Sequence, residues 1–249
     1  MISQLQISGP LPVRITPCPI IEAIFEARFV SAETWAILPG LLYGQIRDRY
    51  REQVNLPLLQ VPEVMRMQDP ALTHLPLLQF KGEKFIIQLG PRVVSLVTKP
   101  RDYLGWPAIR EELGWLLEKA KAAGFVREAE RIGVRYIDFF SGDIFPHLKI
   151  GAQINGLPLA GTQVDLTTVF RFGHISTRLQ VTNGAIVGGG AHGPQVGSVL
   201  DVDGWVGPAD ADLFGQGVGR FTELHDTVKR LFFGLLKPDY LQQLNPEYA

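Results

Sequence analysis

Two stretches of the chain alternate between apolar and polar residues with a period of two, which is the pattern of a strand with one buried face. The first is IIEAIFEARF, residues 20–29. The second is RIGVRYIDFF, residues 131–140, in which Ile132, Val134 and Tyr136 share one face. The opposite face of that second stretch carries two arginines separated by a glycine, which is an unusual surface for a strand in the middle of a domain.

Other segments have the periodicity and the end signals of further elements. A helix is predicted to open at Trp106-Pro107 and to end at Gly124, because proline suits the first helical turn and glycine the C-terminal cap. The longest helix is predicted from about Asp210 to Leu236. VPEVMRM, residues 61–67, is interpreted as a strand, and Asn183-Gly184 as a hairpin turn.

Two meanders of the chain look alike. LQFKGEKFIIQLGPRVVSLV, residues 78–97, and LQVTNGAIVGGGAHGPQVGSVL, residues 179–200, both contain Leu-Gln, a glycine turn, an apolar strand, Gly-Pro and a second strand. A chance likeness between antiparallel meanders stays open, but the matched pairs favour an internal duplication. The sequence therefore predicts an α+β fold of duplicated strand-helix-meander-helix halves. These form one continuous antiparallel sheet with long helices on one face.

The predicted domain organisation is a single compact domain with internal halves. An extended, proline-rich arm occupies residues 1–19, the first α+β half residues 20–125 and the second half residues 126–249. If the halves are equivalent, their opening strands meet at the centre of the sheet. The strand that contains Arg131 and Arg135 is then interior, beside the strand of Glu22 and Glu26.

Composition narrows the compartment and the partners. The 249 residues are 46% hydrophobic and 20% charged, with a formal net charge of −1, which gives no general attraction to nucleic acid or to an anionic membrane. The single cysteine, Cys18, excludes an internal disulfide. No signal-peptide pattern is present, and no apolar run approaches the ~20 residues of a membrane span. These features predict a cytoplasmic protein without a membrane partner, and nucleic acid is not indicated.

The polar face of the two central strands has two interpretations. Carboxylates on one strand and guanidinium groups on the next would form a cross-strand charge ladder, with Arg135 bound to Glu26 or Glu22. Alternatively, the face receives a partner or ligand. The candidate binding residues on this face are Glu22, Glu26, Arg28, Arg131, Arg135, Arg178 and Gln180.

The sequence contains no catalytic constellation, so we assign no catalytic residue and no cofactor. The five histidines lack metal-ligand spacing. Asp201 and Asp203 could hold Mg²⁺, although such a pair more often ends a strand. VGGGAHGPQVG, residues 187–197, lacks phosphate-loop spacing, and its glycines fit a bulge or a close backbone approach. His192 in this segment could act as a general base in a flexible loop, but no second histidine or lysine supports it.

Four segments carry a family resemblance that covers nearly the whole chain. They are PCPIIEAIFEARF, RIGVRYIDFF, LDVDGW and LHDTVKRLFFGLL. With them the sequence resembles a sporadically distributed, uncharacterised bacterial protein family of about this length. The resemblance implies no established activity and no catalytic residues. The patchy occurrence of the family implies an accessory or defence-type role.

Three functions follow as hypotheses. The leading one is a non-enzymatic binding or interaction module, an accessory subunit of a bacterial multi-component system whose partner is a protein or a second copy of the chain. The second is a helix-grip protein that binds a small ligand between a long helix and a curved sheet. The third is a metal-dependent phosphodiesterase or nuclease that uses Asp201, Asp203 and His192. The cavity of the second hypothesis would be lined by Phe170, Phe172, Phe221, Phe232 and Phe233.

Overall fold

The structure is a computed structural model that describes residues 10–151, 153–158, 163–188 and 193–248. It contains eleven strands and five α-helices within those residues. The helices are α1 (Leu38–Ile46), α2 (Glu63–Gln68), α3 (Trp106–Ala123), α4 (Gly217–Leu235) and α5 (Pro238–Gln243). The strands are β1 (Ile20–Ser31), β2 (Glu52–Asn55), β3 (Leu78–Lys81), β4 (Phe85–Gly90), β5 (Val93–Thr98), β6 (Val126–Ser141), β7 (Gln153–Ile154), β8 (Leu157–Pro158), β9 (Asp165–Phe172), β10 (Ile175–Val187) and β11 (Gln195–Val206).

Nine strands form one antiparallel sheet, in the order β2-β3-β4-β5-β1-β6-β11-β10-β9. The mixed α and β architecture and the single antiparallel sheet predicted from the sequence are confirmed. β6 is an interior strand between β1 and β11, as its alternation predicted. Its apolar face is buried at Ile132, Val134 and Tyr136. Strands β7 and β8 form a separate two-stranded sheet.

The chain divides into two compact units that do not follow the predicted halves, and the division into halves stays a prediction. Unit 1 comprises Met1–Ile21, Arg135–Gly204 and His225–Ala249, and unit 2 comprises Glu22–Val134 and Trp205–Leu224.

Unit 2 is built on the alternation of β1. Phe25, on the buried face of β1, contacts the rings of Trp106 and Phe221 at centroid distances of 5.9 and 6.4 Å. Helix α3 contributes a buried stripe that includes Ile109 and Leu113. It ends at Gly124, whose φ of 72° is the left-handed conformation that glycine adopts without strain. The predicted start and end of this helix are confirmed.

Unit 1 joins the two ends of the described chain. The backbone N–H of Val13 donates to the carbonyl of Glu247, and that of Thr16 to the carbonyl of Leu244, so the N-terminal arm lies along the C-terminal segment. Phe140 on β6 stacks with Phe232 of α4 at 6.4 Å. These hydrogen bonds tie the N-terminal arm to the C-terminal segment.

Three local predictions were wrong. The longest helix was predicted from about Asp210 but begins at Gly217, and Pro208–Asp210 forms a separate short 3-10 turn. The segment predicted as a strand at residues 61–67 forms helix α2. The negative charge of Glu63 in its first turn and the positive charge of Arg66 in its last turn interact favourably with the helix dipole.

Asn183 and Gly184 do not form a hairpin turn but lie inside β10. The backbone N–H of Val164 donates to Oδ1 of Asn183 at 2.8 Å, and Gly184 has a φ of 67°. The two residues therefore form a local irregularity within a single strand.

Candidate functional site

In the RIGVR segment, the glycine between the two arginines makes room for the side chain of Arg131. A Cβ on Gly133 would lie 2.4 Å from Nη1 of Arg131, so glycine leaves the space in which that guanidinium lies along its own strand. Arg131 Nη1 donates to Oε1 of Glu26 at 2.5 Å. Its guanidinium carbon lies 5.3 Å from the centre of the Trp205 ring, within cation–π distance. The glycine thus positions Arg131 between a carboxylate and an indole.

Glu26 holds a second arginine with the same oxygen. Nε of Arg28, two residues further along β1, donates to Oε1 of Glu26 at 2.6 Å. Residues two apart on a strand point to the same face, which is why these side chains meet. The side chain of Arg28 remains 33% exposed, whereas that of Arg131 is 13% exposed. Three predicted site residues are therefore brought together in unit 2.

A pocket of about 300 Å³ opens beside this cluster, entirely within unit 2. The sequence did not predict most of the lining residues. His74 lies in a loop without a motif, and Glu130 lies near the start of β6 among other charged residues that are typical of an exposed strand end. The lining residues are Arg28, His74, Glu130, Arg131, Trp205, Gly207 and Pro208. The sequence signal that could have found Trp205 is its place directly after the acidic strand segment LDVDG.

Electrostatics at the pocket favour the neutral form of His74. Burial lowers the pKa of His74, and the positive charges of Arg28 and Arg92 lower it further, so the imidazole is neutral at pH 7. Glu130 forms a short ion pair with Arg92. Three buried polar atoms here lack a hydrogen-bond partner within the described residues, namely His74 Nδ1, Glu130 Oε2 and Arg92 Nε.

Unit 1 contains a second charged cluster. Nε and Nη2 of Arg135 donate to the two carboxylate oxygens of Asp201 at 2.9 and 2.6 Å, a bidentate geometry. Nη2 of Arg178 lies 3.8 Å from Oδ2 of the same carboxylate. A carboxylate within reach of Arg135 was predicted and is present, but the prediction named only Glu22 and Glu26. Sequence reasoning had considered Asp201 as a metal ligand and missed it as the arginine partner.

The two other predicted binding residues are Gln180 and Glu22. Gln180 on β10 donates from Nε2 to Oδ1 of Asp165 on β9 at 3.0 Å, which is an exposed cross-strand contact. Glu22 is half-buried on β1. Each of these side chains is accessible from solvent, so neither is excluded as a contact residue.

Two ionisable groups of unit 1 are buried without taking part in the charged cluster. Tyr136 Oη lies 2.7 Å from Nδ1 of His225, and burial lowers the pKa of this histidine to about 4. Burial also raises the pKa of the Asp138 carboxyl well above its usual value, and the negative charge of Asp201 raises it further. Both side chains therefore favour their neutral forms.

The metal hypothesis gains nothing from the described residues. Asp201 is 6% exposed and is already bound by Arg135, while Asp203 is half-buried on the same strand. Among the described residues, no group of three histidine, cysteine or acidic side chains is placed to hold a metal ion. His192 lies outside the described residues.

The phenylalanines of the predicted cavity occupy ordinary packing contacts. Phe170 stacks on Phe172 at 5.9 Å, and Phe232 contacts Phe233 at 5.0 Å, both within unit 1. Phe221 packs against Phe25 in unit 2. These contacts account for the ring positions without a ligand.

Comparison with known proteins yields no matching family model and no matching curated protein. In the described part of the chain, no helix combines the length and the apolar character needed to cross a membrane.

Proposed function

We propose that this protein is a non-enzymatic binding module and that the pocket of unit 2, with its charged rim of Glu26, Arg28 and Arg131, is its principal contact site. The observation that carries the proposal is the built arrangement around Arg131. A glycine, a carboxylate and an indole together hold one guanidinium at the wall of an open pocket. Pre-organised polar groups at a concave surface are typical of binding sites.

The expected partner is a protein or a second copy of the chain, in keeping with an accessory subunit of a bacterial, defence-type system. Arginine and tryptophan are enriched in the energetically dominant parts of protein interfaces, and the pocket contains both. Arg135, Arg178, Gln180 and Glu22 remain additional contact candidates. We place the protein in the cytoplasm, where its lone exposed thiol, Cys18, would persist in reduced form.

The finer architecture is also a proposal. We infer that the two halves arose by duplication and that the long helices cover one face of the sheet. The contacts of Phe25 with Trp106 and of Tyr136 with His225 support a helix-covered face for β1 and for β6. The helix-grip and metal-dependent nuclease alternatives have no specific geometric observation in their favour.

Affinity capture from the organism of origin tests the binding proposal. Arg28→Glu reverses a charge at the pocket, and Arg49→Glu is the matched control, because Arg49 also pairs with a glutamate, Glu112, and lies over a tryptophan, Trp115. We expect a species that co-purifies with the wild type and with Arg49→Glu but not with Arg28→Glu. Size-exclusion chromatography with light scattering identifies the case in which that species is a second copy.

The proposal is contradicted if capture is identical for all three proteins, or if the wild type is a monomer that retains nothing. Melting temperatures of the variants establish that a lost interaction is not a lost fold.

A further inference from the structure

Strand β9 (Asp165–Phe172) is the last strand of the nine-stranded sheet, with β10 as its neighbour. On its other side, no strand among the described residues pairs with it. It is eight residues long and contains neither proline nor lysine, the residues that commonly protect an exposed edge. The strand at the other end of the sheet order, β2, has four residues, and Pro57 follows it closely. β9 is therefore the edge that suits the addition of a further strand.

Hydrogen bonding to β10 decides which backbone groups of β9 face outward. The backbone N–H of Asn183 on β10 donates to the carbonyl of Val164, directly before β9, at 3.2 Å. Hydrogen-bonded positions alternate along an antiparallel pair, so the even-numbered residues of β9 direct their backbone groups to β10. The odd-numbered residues direct their N–H and C=O groups away from β10, toward any further strand. They are Asp165, Thr167, Val169 and Arg171.

The sequence of β9 is complementary to itself when a second copy runs antiparallel about Thr168. Thr168 then lies opposite its own copy, and Asp165 lies opposite Arg171 on the same face of the sheet. This register places odd-numbered residues opposite odd-numbered residues, as the outward backbone groups require. The other opposed pairs are Val164 with Phe172, Leu166 with Phe170, and Thr167 with Val169.

Both faces of β9 have surface that a second copy would cover. The face with the opposed charges is open to solvent, and Val169 on it is 54% exposed. On the other face Leu166, Phe170 and Phe172 are half-buried, and the two phenylalanine rings stack at 5.9 Å. Contact with the same apolar side chains of a second copy would remove more of this surface from water, which is favourable.

We propose that β9 is a dimerisation strand that pairs antiparallel with β9 of a second copy of this chain about Thr168. The Asp165–Arg171 pairs, one at each end, set the register, because a slip by two residues would separate these charges. A second copy fits better than an unrelated strand, because every opposed pair combines opposite charges, two apolar side chains or two β-branched side chains. The strand belongs to unit 1, so its test is independent of the pocket of unit 2.

The oligomeric state of the full chain, measured by sedimentation over a dilution series, tests the pairing. We expect the wild type to be a dimer that dissociates on dilution. Val169→Pro removes an outward N–H without removing a hydrogen bond to β10, because proline is tolerated where the N–H of an edge strand faces solvent. This variant is expected to be a monomer, and its melting temperature shows that it is folded.

Charge reversals test the register with less change to the backbone. Arg171→Glu places carboxylates opposite each other at both ends of the interface and is expected to raise the dissociation constant about tenfold or more. Asp165→Arg is expected to do the same with guanidinium groups. Combining Asp165→Arg with Arg171→Asp restores opposite charges and is expected to restore the dimer. Arg230→Glu, at an exposed position of α4 in unit 1, makes the same change of net charge and is expected to leave the dimer unchanged.

A cysteine at the symmetry axis tests the geometry, in a chain whose Cys18 is replaced by serine. Opposed residues of a non-hydrogen-bonded pair have Cα atoms about 4.5 Å apart, within the range of a disulfide. Thr168→Cys is therefore expected to form a covalent dimer when it is oxidised with diamide. Thr167→Cys is more exposed but does not lie opposite its own copy, so little crosslinking is expected.

A wild type that is a monomer at every concentration would overturn the inference, as would equal dissociation constants for Arg171→Glu and Arg230→Glu. Equal crosslinking at positions 167 and 168 would overturn the register. A monomer that binds a different protein, with binding lost in Val169→Pro, would overturn the assignment to a second copy. Arg28→Glu is expected to keep the β9 dimer, so a dimer lost in Arg28→Glu and kept in Val169→Pro would assign the second copy to the pocket of unit 2 instead.

Discussion

Acid should destabilise this protein through one buried histidine. His225 lies on α4 in the core of unit 1, with Nδ1 2.7 Å from the hydroxyl oxygen of Tyr136. Burial lowers its pKa to about 4 in the folded protein, against an ordinary value near 6.5. Protonation of the ring would place a charge in an apolar environment, so the folded state resists taking up this proton.

The size and the sign of the effect follow from the two pKa values. Below about pH 6.5 the unfolded chain protonates this histidine, whereas the folded chain keeps it neutral down to about pH 4. The unfolded state therefore binds more protons in this window, and the free energy of unfolding falls as the pH falls. A difference of about 2.5 pKa units corresponds to a loss of roughly 3 kcal/mol by pH 4, while the full stability is present above pH 6.5.

Urea unfolding measured between pH 7 and pH 4 for the wild type and for His225→Asn tests this value. The asparagine offers Tyr136 a neutral hydrogen-bonding group, and His174→Asn at an exposed position is the matched control. Contributions from other groups, such as the buried Asp138, are common to both proteins and cancel in the difference. We expect the wild type to lose about 3 kcal/mol more than His225→Asn across the window. Parallel curves for the two proteins would refute the assignment of this acid sensitivity to His225.

Three further substitutions test the packing of unit 1. Asp201→Ala removes the bidentate partner of Arg135 and should lower the free energy of unfolding by about 2–3 kcal/mol. Glu52→Ala, in an exposed ion pair, is the control and should lower it by less than about 1 kcal/mol in the same chemical denaturation. Equal losses would contradict the role of Asp201. Gly197→Ala would bring a Cβ within 2.2 Å of the Phe140 carbonyl oxygen and should lower the free energy of unfolding by about 3 kcal/mol. Gly188→Ala, in open space, is the control and should leave stability unchanged. Unchanged stability in Gly197→Ala would show that the two backbones are not in close contact. Arg135→Ala should lower the melting temperature and leave partner capture intact, because its guanidinium is occupied by Asp201; reduced capture at unchanged melting temperature would assign this arginine to the binding surface.

Period-two alternation was sufficient to predict the central strands. β1 and β6 carry their apolar residues on one face through several repeats of the alternation. A shift of the strand register by one residue would expose Phe25 or Tyr136. The end of α3 was predictable in the same way, because glycine is the residue that adopts the left-handed conformation at a helix C-terminus without strain. For the glycine-rich segment the sequence left a bulge or a close backbone approach open. At Gly197 the structure shows the close approach, because a side chain there would collide with the carbonyl of Phe140.

The wrong predictions arose where short-range signals competed with tertiary context. Asn183-Gly184 is the commonest hairpin dipeptide, but the pairing of β10 with β9 continues past Leu179 and the Asn183 side chain substitutes for a strand partner. The helix at Glu63–Gln68 is six residues long, too short for its periodicity to be distinguished from a strand.

The candidate site could be predicted only for residues that share a strand face. Glu26 and Arg28 are two positions apart, so their meeting follows from the pleat, and Arg131 follows from the neighbouring strand. His74 and Trp205 reach the pocket through long-range folding, which no local spacing encodes. The pairing of Arg135 with Asp201 depends on β6 and β11 being neighbours, and the duplication argument did not address that neighbourhood.

Photo-crosslinking from the pocket rim tests the central claim most directly. A benzophenone amino acid in place of the exposed Pro208 stands at the pocket, and the same group in place of the partly exposed Lys81, on β3 of the same unit, is the control. After irradiation in extracts of the organism of origin, the account predicts a discrete crosslinked partner, or a crosslinked second copy, from position 208 and none from position 81. Identical crosslinks from both positions, or a partner captured from position 81 alone, would contradict the assignment of this pocket as the binding site.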